Sequence, residues 1–368
     1  MSFISKFILP SNRFYKIYKG IDQEESVMRE QKIKSYVGTM DQLARIRTSV
    51  LDDGRGRGIR IADVDNGSGL RFTILLDRGM DIGDASFNGV PFAYQTPVGL
   101  VHPSHFEPDG FRWLRSFGGG LLAGCGLRNV GSPEAEEGMR VDGPLGLHGR
   151  LSNTPAEDIA VSKGWKDGKY CLSVSGIIRE VSFFGENLEM KRTISTVMGD
   201  NSITISDEVT NRGVRPSPLM ILYHINAGFP LLSEKTVVEG RVKKTTPRTE
   251  NASADLGRWN TCQPPTSGYV EQCFFHDVDA DTDGMARMTL RNPELGVAIE
   301  VAYRKAELPC FTQWKMMGEQ EYVMGLEPAN CHPGGQTAEK ENGTLQIIRP
   351  DETISLKVAV SLRNENRR

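Results

Sequence analysis

The sequence predicts an all-β protein: a large antiparallel sandwich with few short helices. Three observations carry that expectation. Short apolar segments recur from residue 37 to residue 362, several of them alternating with period two, and glycine, asparagine or aspartate clusters separate them. Long helical periodicity is absent. No linker or internal repeat divides the strand series, so residues 37–368 read as one domain behind a charged, weakly patterned N-terminal extension, 1–36. Large sandwiches commonly run to this length as single domains.

In chain order, residues 23–34 would form a short helix within the extension. Segments 59–64, 70–76 and 82–87 read as strands, and Asn88-Gly89 after the third is a strong two-residue hairpin signal. The charged turn Asp77-Arg-Gly-Met-Asp81 lies between the last two. Residues 102–128 are rich in glycine and aromatics, with few clean strands and a short helix expected at 111–115. The glycines from Gly118 to Gly126 bring backbone close to a ligand or to a neighbouring strand. Residues 131–143 are polar and read as loop. Strands resume at 158–161, 170–179, 188–197, 202–211 and 218–226. A polar, less ordered stretch is expected at 233–268. Further strands follow at 271–275, 286–291, 297–303, 311–316, 322–326, 344–348 and 353–362.

Composition narrows the function classes. The net charge is −3 over 368 residues, with no block of lysine and arginine, which argues against a nucleic-acid partner. No apolar run approaches the ~20 residues of a membrane helix, and the first ten residues lack the pattern of a secretory signal. The six cysteines are scattered without a C-x-x-C pair, which fits free thiols in a cytoplasmic protein. There is no phosphate-binding loop, dinucleotide fingerprint or nucleophile elbow, so no cofactor is expected.

The stretch from Phe311 to Gly334 holds what a polyol site needs: the flat face of Trp314, hydrogen-bonding Gln313, Lys315 and Asn330, and the carboxylate Glu327 where an apolar strand would end. Taken singly, each candidate has a bland reading. Glu327 before Pro328 is a turn residue, His148 a loop histidine, His224 a half-buried strand histidine, Arg128 a salt-bridged arginine, and His276 the end of an aromatic strand. Together they change meaning, because strand ends distant in sequence meet at one rim of an antiparallel sheet. Imidazole titrates near neutrality and a facing carboxylate can act as its opposite partner, a pair suited to moving protons between two oxygens of one substrate.

Four segments, in order, give this chain a family likeness: Gly126-Leu-Arg128-Asn, Leu147-His148-Gly149, Tyr223-His224-Ile-Asn-Ala-Gly-Phe-Pro-Leu, and Gln313-Trp-Lys through Gly325-Leu-Glu327-Pro-Ala-Asn. With them it resembles the aldose 1-epimerase (galactose mutarotase) superfamily, in particular its bacterial aldose-epimerase-like subgroup, over about residues 37–362. The resemblance implies a β-supersandwich and cofactor-free interconversion of sugar anomers, with Glu327 as general base and His224 as general acid. It implies that Arg128 and His148 hold the sugar, that Gln313, Trp314 and Lys315 shape the pocket, and that His276 stands near a substrate-binding position. The chain departs from the pattern in lacking the asparagine before His224 and in carrying Arg150 after Gly149. With Lys315 and Arg78, Arg150 would add positive charge, suggesting an acidic or modified sugar. Two other readings remain: a sugar-binding module without turnover, and a metal-dependent isomerase or lyase using His148, His224, His276 and Glu327. The partner expected is a small-molecule sugar, in a possible homo-oligomer.

Overall fold

The computed structural model describes residues 30–134 and 145–364. Six strands come first: β1 (Arg45–Val50), β2 (Arg60–Asp65), β3 (Leu70–Leu75), β4 (Asp81–Phe87), β5 (Val90–Pro91) and β6 (Leu122–Leu127). Four long strands follow, β7 (Glu157–Lys166), β8 (Lys169–Val181), β9 (Asn187–Val197) and β10 (Ser202–Asn211). Next come β11 (Ser217–Pro218), β12 (Met220–Ala227), β13 (Val237–Gly240), β14 (Val242–Pro247), β15 (Gln272–Val278), β16 (Met285–Asn292) and β17 (Val297–Arg304). The chain closes with β18 (Cys310–Gly318), β19 (Glu321–Ala329), β20 (Ile347–Ile348) and β21 (Thr353–Asn364).

These strands build two large antiparallel sheets. The first runs β1-β2-β3-β4-β6-β12-β19-β18-β15-β14, with β5 paired to β4; the second runs β13-β16-β17-β21-β10-β9-β8-β7. The predicted antiparallel sandwich is therefore what the chain forms. Alternation is the cause. Along β8 and β9 every second residue is buried, and Leu172, Val174, Met190 and Ile194 pack with Ile205, Val301 and Val360 against the inner face of the first sheet. That inner face presents Ile74, Ile82, Ile221, Tyr223, Ile225, Phe311 and Leu326. Between β4 and β5, Asn88 and Gly89 both take positive φ, 52° and 80°, as a two-residue type I′ turn demands.

A buried polar strut joins the sheets behind β12. Arg192 of β9, fully buried, donates to Asp207 of β10 at 2.7 Å and to the Gly79 carbonyl at 2.9 Å. The Tyr223 hydroxyl donates to the same aspartate at 2.7 Å. Every partner is satisfied, the condition under which a buried ion pair fixes geometry rather than costing stability. β12 is thereby anchored from its inner side, one residue before His224.

Three expectations need correction. The glycine-rich segment contains a central strand, β6, whose glycines hid its alternation; a Cβ at Gly126 would lie 2.4 Å from the Met220 carbonyl of β12. The stretch 233–268 contains β13, β14 and the helix Glu250–Ala254. β14 is an edge strand with no buried side chain, half of them exposed and half intermediate, so it lacks the apolar period of a covered one. Glu327 does not end its strand, since β19 continues to Ala329. Of the expected N-terminal extension, residues 30–34 are helical, and residues 1–29 lie outside the described residues, as do 135–144 of the expected loop.

Candidate active site

The site grows from the outer face of the first sheet, where β6, β12, β19, β18 and β15 lie side by side. The β12–β19 register pairs Leu222 with Ala329 and Ile225 with Leu326, which sets His224 across from Glu327. On the next ladder Thr312 opposes Glu327 and Trp314 opposes Gly325. Residues directly opposed across an antiparallel pair share a face. His224, Asn226, Glu327, Thr312 and Trp314 therefore all project outward. Ala123 lies opposite His224, and the absent side chain of Gly325 makes room for Glu327, whose Oε1 a Cβ there would approach to 2.4 Å.

His224 Nε2 lies 3.2 Å from Glu327 Oε1, and both side chains are buried. His224 Nδ1 meets Asn226 Oδ1 at 2.5 Å. The Asn226 amide is oriented by its own bonds, Nδ2 donating to the carbonyls of Gly120 and His224. Its oxygen therefore faces Nδ1, and the ring proton of a neutral His224 sits there. Nε2 then presents a lone pair to Glu327. Burial pushes the Glu327 carboxyl well above the ordinary range, helped by the Glu271 charge and opposed by Arg248. Burial likewise lowers the His224 imidazole to about 4, against the pull of Asn226. Both effects favour a neutral pair: Glu327 carries the proton and hydrogen-bonds to Nε2. A proton on Glu327 also gives Oε1 the bond that a carboxylate facing a bare Nε2 would lack.

Aromatic rings wall this pair. Trp314 is 5.3 Å from His224 between centroids, Phe117 is 5.9 Å away, and Trp113 stacks on Phe117 at 4.8 Å. His148 stands edge-on to His224 at 5.9 Å and contacts Trp113 at 4.9 Å. Its Nδ1 accepts the Gly131 N–H at 3.3 Å, so a neutral His148 carries its proton on Nε2. Burial and the charges of His224 and Arg248 lower its pKa to about 3. Near the cluster, Thr312 Oγ1 and Trp113 Nε1 are buried without hydrogen-bond partners among the described residues, as polar groups awaiting a ligand would be. Flat rings around polar atoms suit a polyol, whose C–H faces stack while its hydroxyls bond.

His148, His224, Trp314 and Glu327 are thus brought together, whereas other expected residues are not. Gln313 and Lys315 alternate with Trp314 and point to the opposite face. Gln313 Oε1 accepts from His276 Nε2 at 2.8 Å, and its Nε2 donates to the Trp259 carbonyl at 2.7 Å. Lys315 Nζ donates to Asp255 at 3.1 Å and to the Arg258 carbonyl at 2.9 Å. These groups, with His276, anchor the segment after the helix Glu250–Ala254 to the underside of the sheet. Asn330 closes the β12–β19 ladder: it accepts from Ile221 N and donates to the Leu219 carbonyl and to Gln346, using both amide hydrogens. Arg128 forms a 2.9 Å ion pair with Glu186, in the turn between β8 and β9. His276 cannot join a metal set with Glu327 from the other face. Among the described residues no three His, Cys, Asp or Glu side chains are placed to hold a metal ion.

A family model described as a domain of unknown function (DUF4432) matches residues 56–362. The chain belongs to the DUF4432 family. This DUF4432 chain is similar in structure to a candidate aldose 1-epimerase from Klebsiella pneumoniae subsp. pneumoniae MGH 78578, with TM-score 0.83 and 25% identity over 89% of this chain and 86% of that one. A galactose mutarotase-like protein from Clostridium acetobutylicum follows at TM-score 0.60 and 12% identity, covering 88% and 99% of the two chains. A galactose 1-epimerase from Lactobacillus acidophilus NCFM has TM-score 0.55 and 10% identity over 87% and 99%. The fold is that of the aldose 1-epimerase superfamily, as the sequence motifs implied. No curated protein matches. Among the described residues of this DUF4432 protein, no helix is long and apolar enough to cross a membrane.

Sequence reasoning missed five contributors to the DUF4432 site. Asn226 was legible as the residue two places after His224 on one strand face. Trp113 and Phe117 lie in the glycine-rich segment, whose path across the sheet no periodicity announces. Arg248 lies within the stretch read as less ordered, and Glu271 just beyond it. Glu271 accepts from Trp314 Nε1 at 2.7 Å, and the Arg248 N–H donates to the Cys273 carbonyl at 2.9 Å.

Proposed function

We propose that this protein is a sugar-binding isomerase that interconverts the anomers of an aldose by acid–base catalysis at His224 and Glu327. The observation that carries the reading is the 3.2 Å contact between a buried imidazole and a buried carboxyl beside the rings of Trp314 and Phe117. The pair holds one proton at rest, on Glu327. Its transfer to His224 Nε2 gives a carboxylate beside an imidazolium, the form able to act on both oxygens of a hemiacetal. The carboxylate takes the proton of the anomeric hydroxyl as the imidazolium gives its proton to the ring oxygen. The C1–O5 bond breaks and C1 becomes a carbonyl. Glu327 is then protonated and His224 neutral, so the resting pair is restored. Rotation about C1–C2 and the reverse proton movements close the ring as the other anomer.

Each group has a physical support. Asn226 holds the proton on Nδ1 and so keeps Nε2 as the working nitrogen. Trp314 and Phe117 exclude water and offer stacking faces. His148, with its proton on the free nitrogen, serves as a hydrogen-bond donor to a sugar oxygen. The test is Glu327→Gln, which keeps shape but cannot take a proton. Anomer exchange followed by NMR should fall ~10²–10⁴-fold, the usual contribution of one positioned acid–base group, while sugar binding persists. Unchanged exchange in this variant refutes the assignment.

A further inference from the structure

Of the cations expected to favour an acidic sugar, Lys315 and Arg78 are engaged elsewhere, and the charge of Arg150 acts on the buried Glu180. Lys315 is bound to Asp255 beneath the sheet. Arg78 is buried and donates to the carbonyls of Val101 and Ser116 and to Asn153 Oδ1. Arg60, Arg192 and Arg258 each hold a carboxylate. Arg248 is different. It directly follows β14, and its backbone bond to Cys273 sets it opposite that residue. Cys273 opposes Trp314, and Trp314 opposes Gly325, so Arg248 stands on the outer face that carries His224 and Glu327. Three strand spacings separate β14 from β19, about 14 Å, a span that an arginine side chain narrows to the width of a sugar ring with its substituent.

The Arg248 side chain is exposed, and among the described residues no carboxylate pairs with it. The neighbouring carboxylate, Glu271, is occupied by Trp314 Nε1. The Arg248 charge nevertheless reaches the site, since it lowers the pKa of both Glu327 and His148. A guanidinium is a planar fork of donors without acceptors, matched by the two oxygens of a carboxylate or a phosphate.

We propose that Arg248 is a specificity residue that receives an anionic substituent, carboxylate or phosphate, of the sugar lying over His224 and Glu327. This rests on the anomer-exchange reading above. The reactive hemiacetal sits on the pair, and the substituent at the far end of the sugar points along the sheet toward β14. A neutral sugar leaves the guanidinium to water.

The experiment compares hexuronates, hexose 6-phosphates and neutral hexoses of gluco, galacto and manno configuration, by NMR anomer exchange and by calorimetric binding, on the full chain. One anionic class should exceed its neutral parent at least ~10-fold in kcat/KM. Arg248→Met should cut the anionic-to-neutral ratio about 30-fold, as expected for a charge-assisted pair, and Arg248→Lys should restore part of it. A response confined to uronates identifies a carboxylate ligand, and one confined to phosphates a phosphate. Neutral parents matching the anionic sugars, or Arg248→Met lowering both classes equally, overturn the proposal. If no sugar is turned over, the isomerase reading fails while calorimetry still decides this one. Tighter binding of anionic sugars that Arg248→Met abolishes supports it; no preference, or no binding of either class, overturns it.

Discussion

Glu327 and His224 each depart from their ordinary pKa in the direction that burial dictates, and the departures are complementary. A neutral side chain of Glu327's shape should then be tolerated better than the carboxylate. Above pH 4.5 the unfolded chain releases the Glu327 proton and the folded chain retains it, so this group costs stability as pH rises toward its folded pKa. Glu327→Gln removes that cost. Chemical denaturation should show the variant at least as stable as wild type at pH 7, with its advantage growing between pH 5 and pH 8. A clear loss of stability at pH 7 would mean that Glu327 is an ionised structural partner. Asn226→Ala should behave oppositely: it unpairs His224 Nδ1 and the Gly120 carbonyl, and should cost ~1–3 kcal/mol while shifting the pH profile of kcat. The residue types at this site were legible in the sequence. Their protonation was not, because it is set by burial and by an amide two residues away.

At the level of the strand, register decides which residues share the site. The sequence reading treated Gln313, Trp314 and Lys315 as one wall, but consecutive strand residues face opposite ways, and only Trp314 meets His224. Lys315→Met should therefore act on stability, leaving Asp255 with Arg258 alone in a buried setting. A loss of roughly 2–4 kcal/mol in urea unfolding is expected, with the preference among sugars unchanged. A changed preference would put Lys315 back in the pocket. Gly325 makes the converse point. It opposes Trp314, and a Cβ there would come 2.4 Å from Glu327 Oε1. Gly325→Ala should displace the carboxyl and lower kcat by ~10²-fold or more, the loss of one positioned group, with an intact circular dichroism spectrum. Glycine's role in β6 and β19 was legible only as close approach. Which neighbour approached required the ladder order, since β6 and β12 pair across nearly a hundred residues.

For the whole molecule, alternation and turn chemistry carried most of the fold: the long strands β8, β9, β10 and β21 coincide with segments read from period two alone. What escaped were strands whose pattern is suppressed, by glycine in β6 and by exposure in β14. The fold also buries His224 and His276 and half-buries His148, with pKa values lowered to about 4, 4 and 3. The unfolded chain protonates these rings near pH 6.5 and the folded chain does not, so their contribution is present above that pH and is lost as pH falls toward 4. The raised carboxyls of Glu327, Glu180 and Asp81, the last at about 6, work against this slope, while the lowered His332, Glu189, Glu239, Asp255, Asp279 and Asp281 add to it. Thermal or urea unfolding should show stability declining from pH 6.5 to pH 4, and a flat profile over that window would show that the three rings are not held neutral.

The most direct measurement of the central claim is NMR exchange between α and β anomers over a panel of neutral and anionic aldoses, with wild type and Glu327→Gln side by side. At least one sugar should exchange far faster than in buffer with the wild-type protein, and Glu327→Gln should lose that acceleration ~10²–10⁴-fold while still binding the sugar. Saturable binding of a sugar whose anomers exchange at the buffer rate, or full acceleration in the variant, would contradict it.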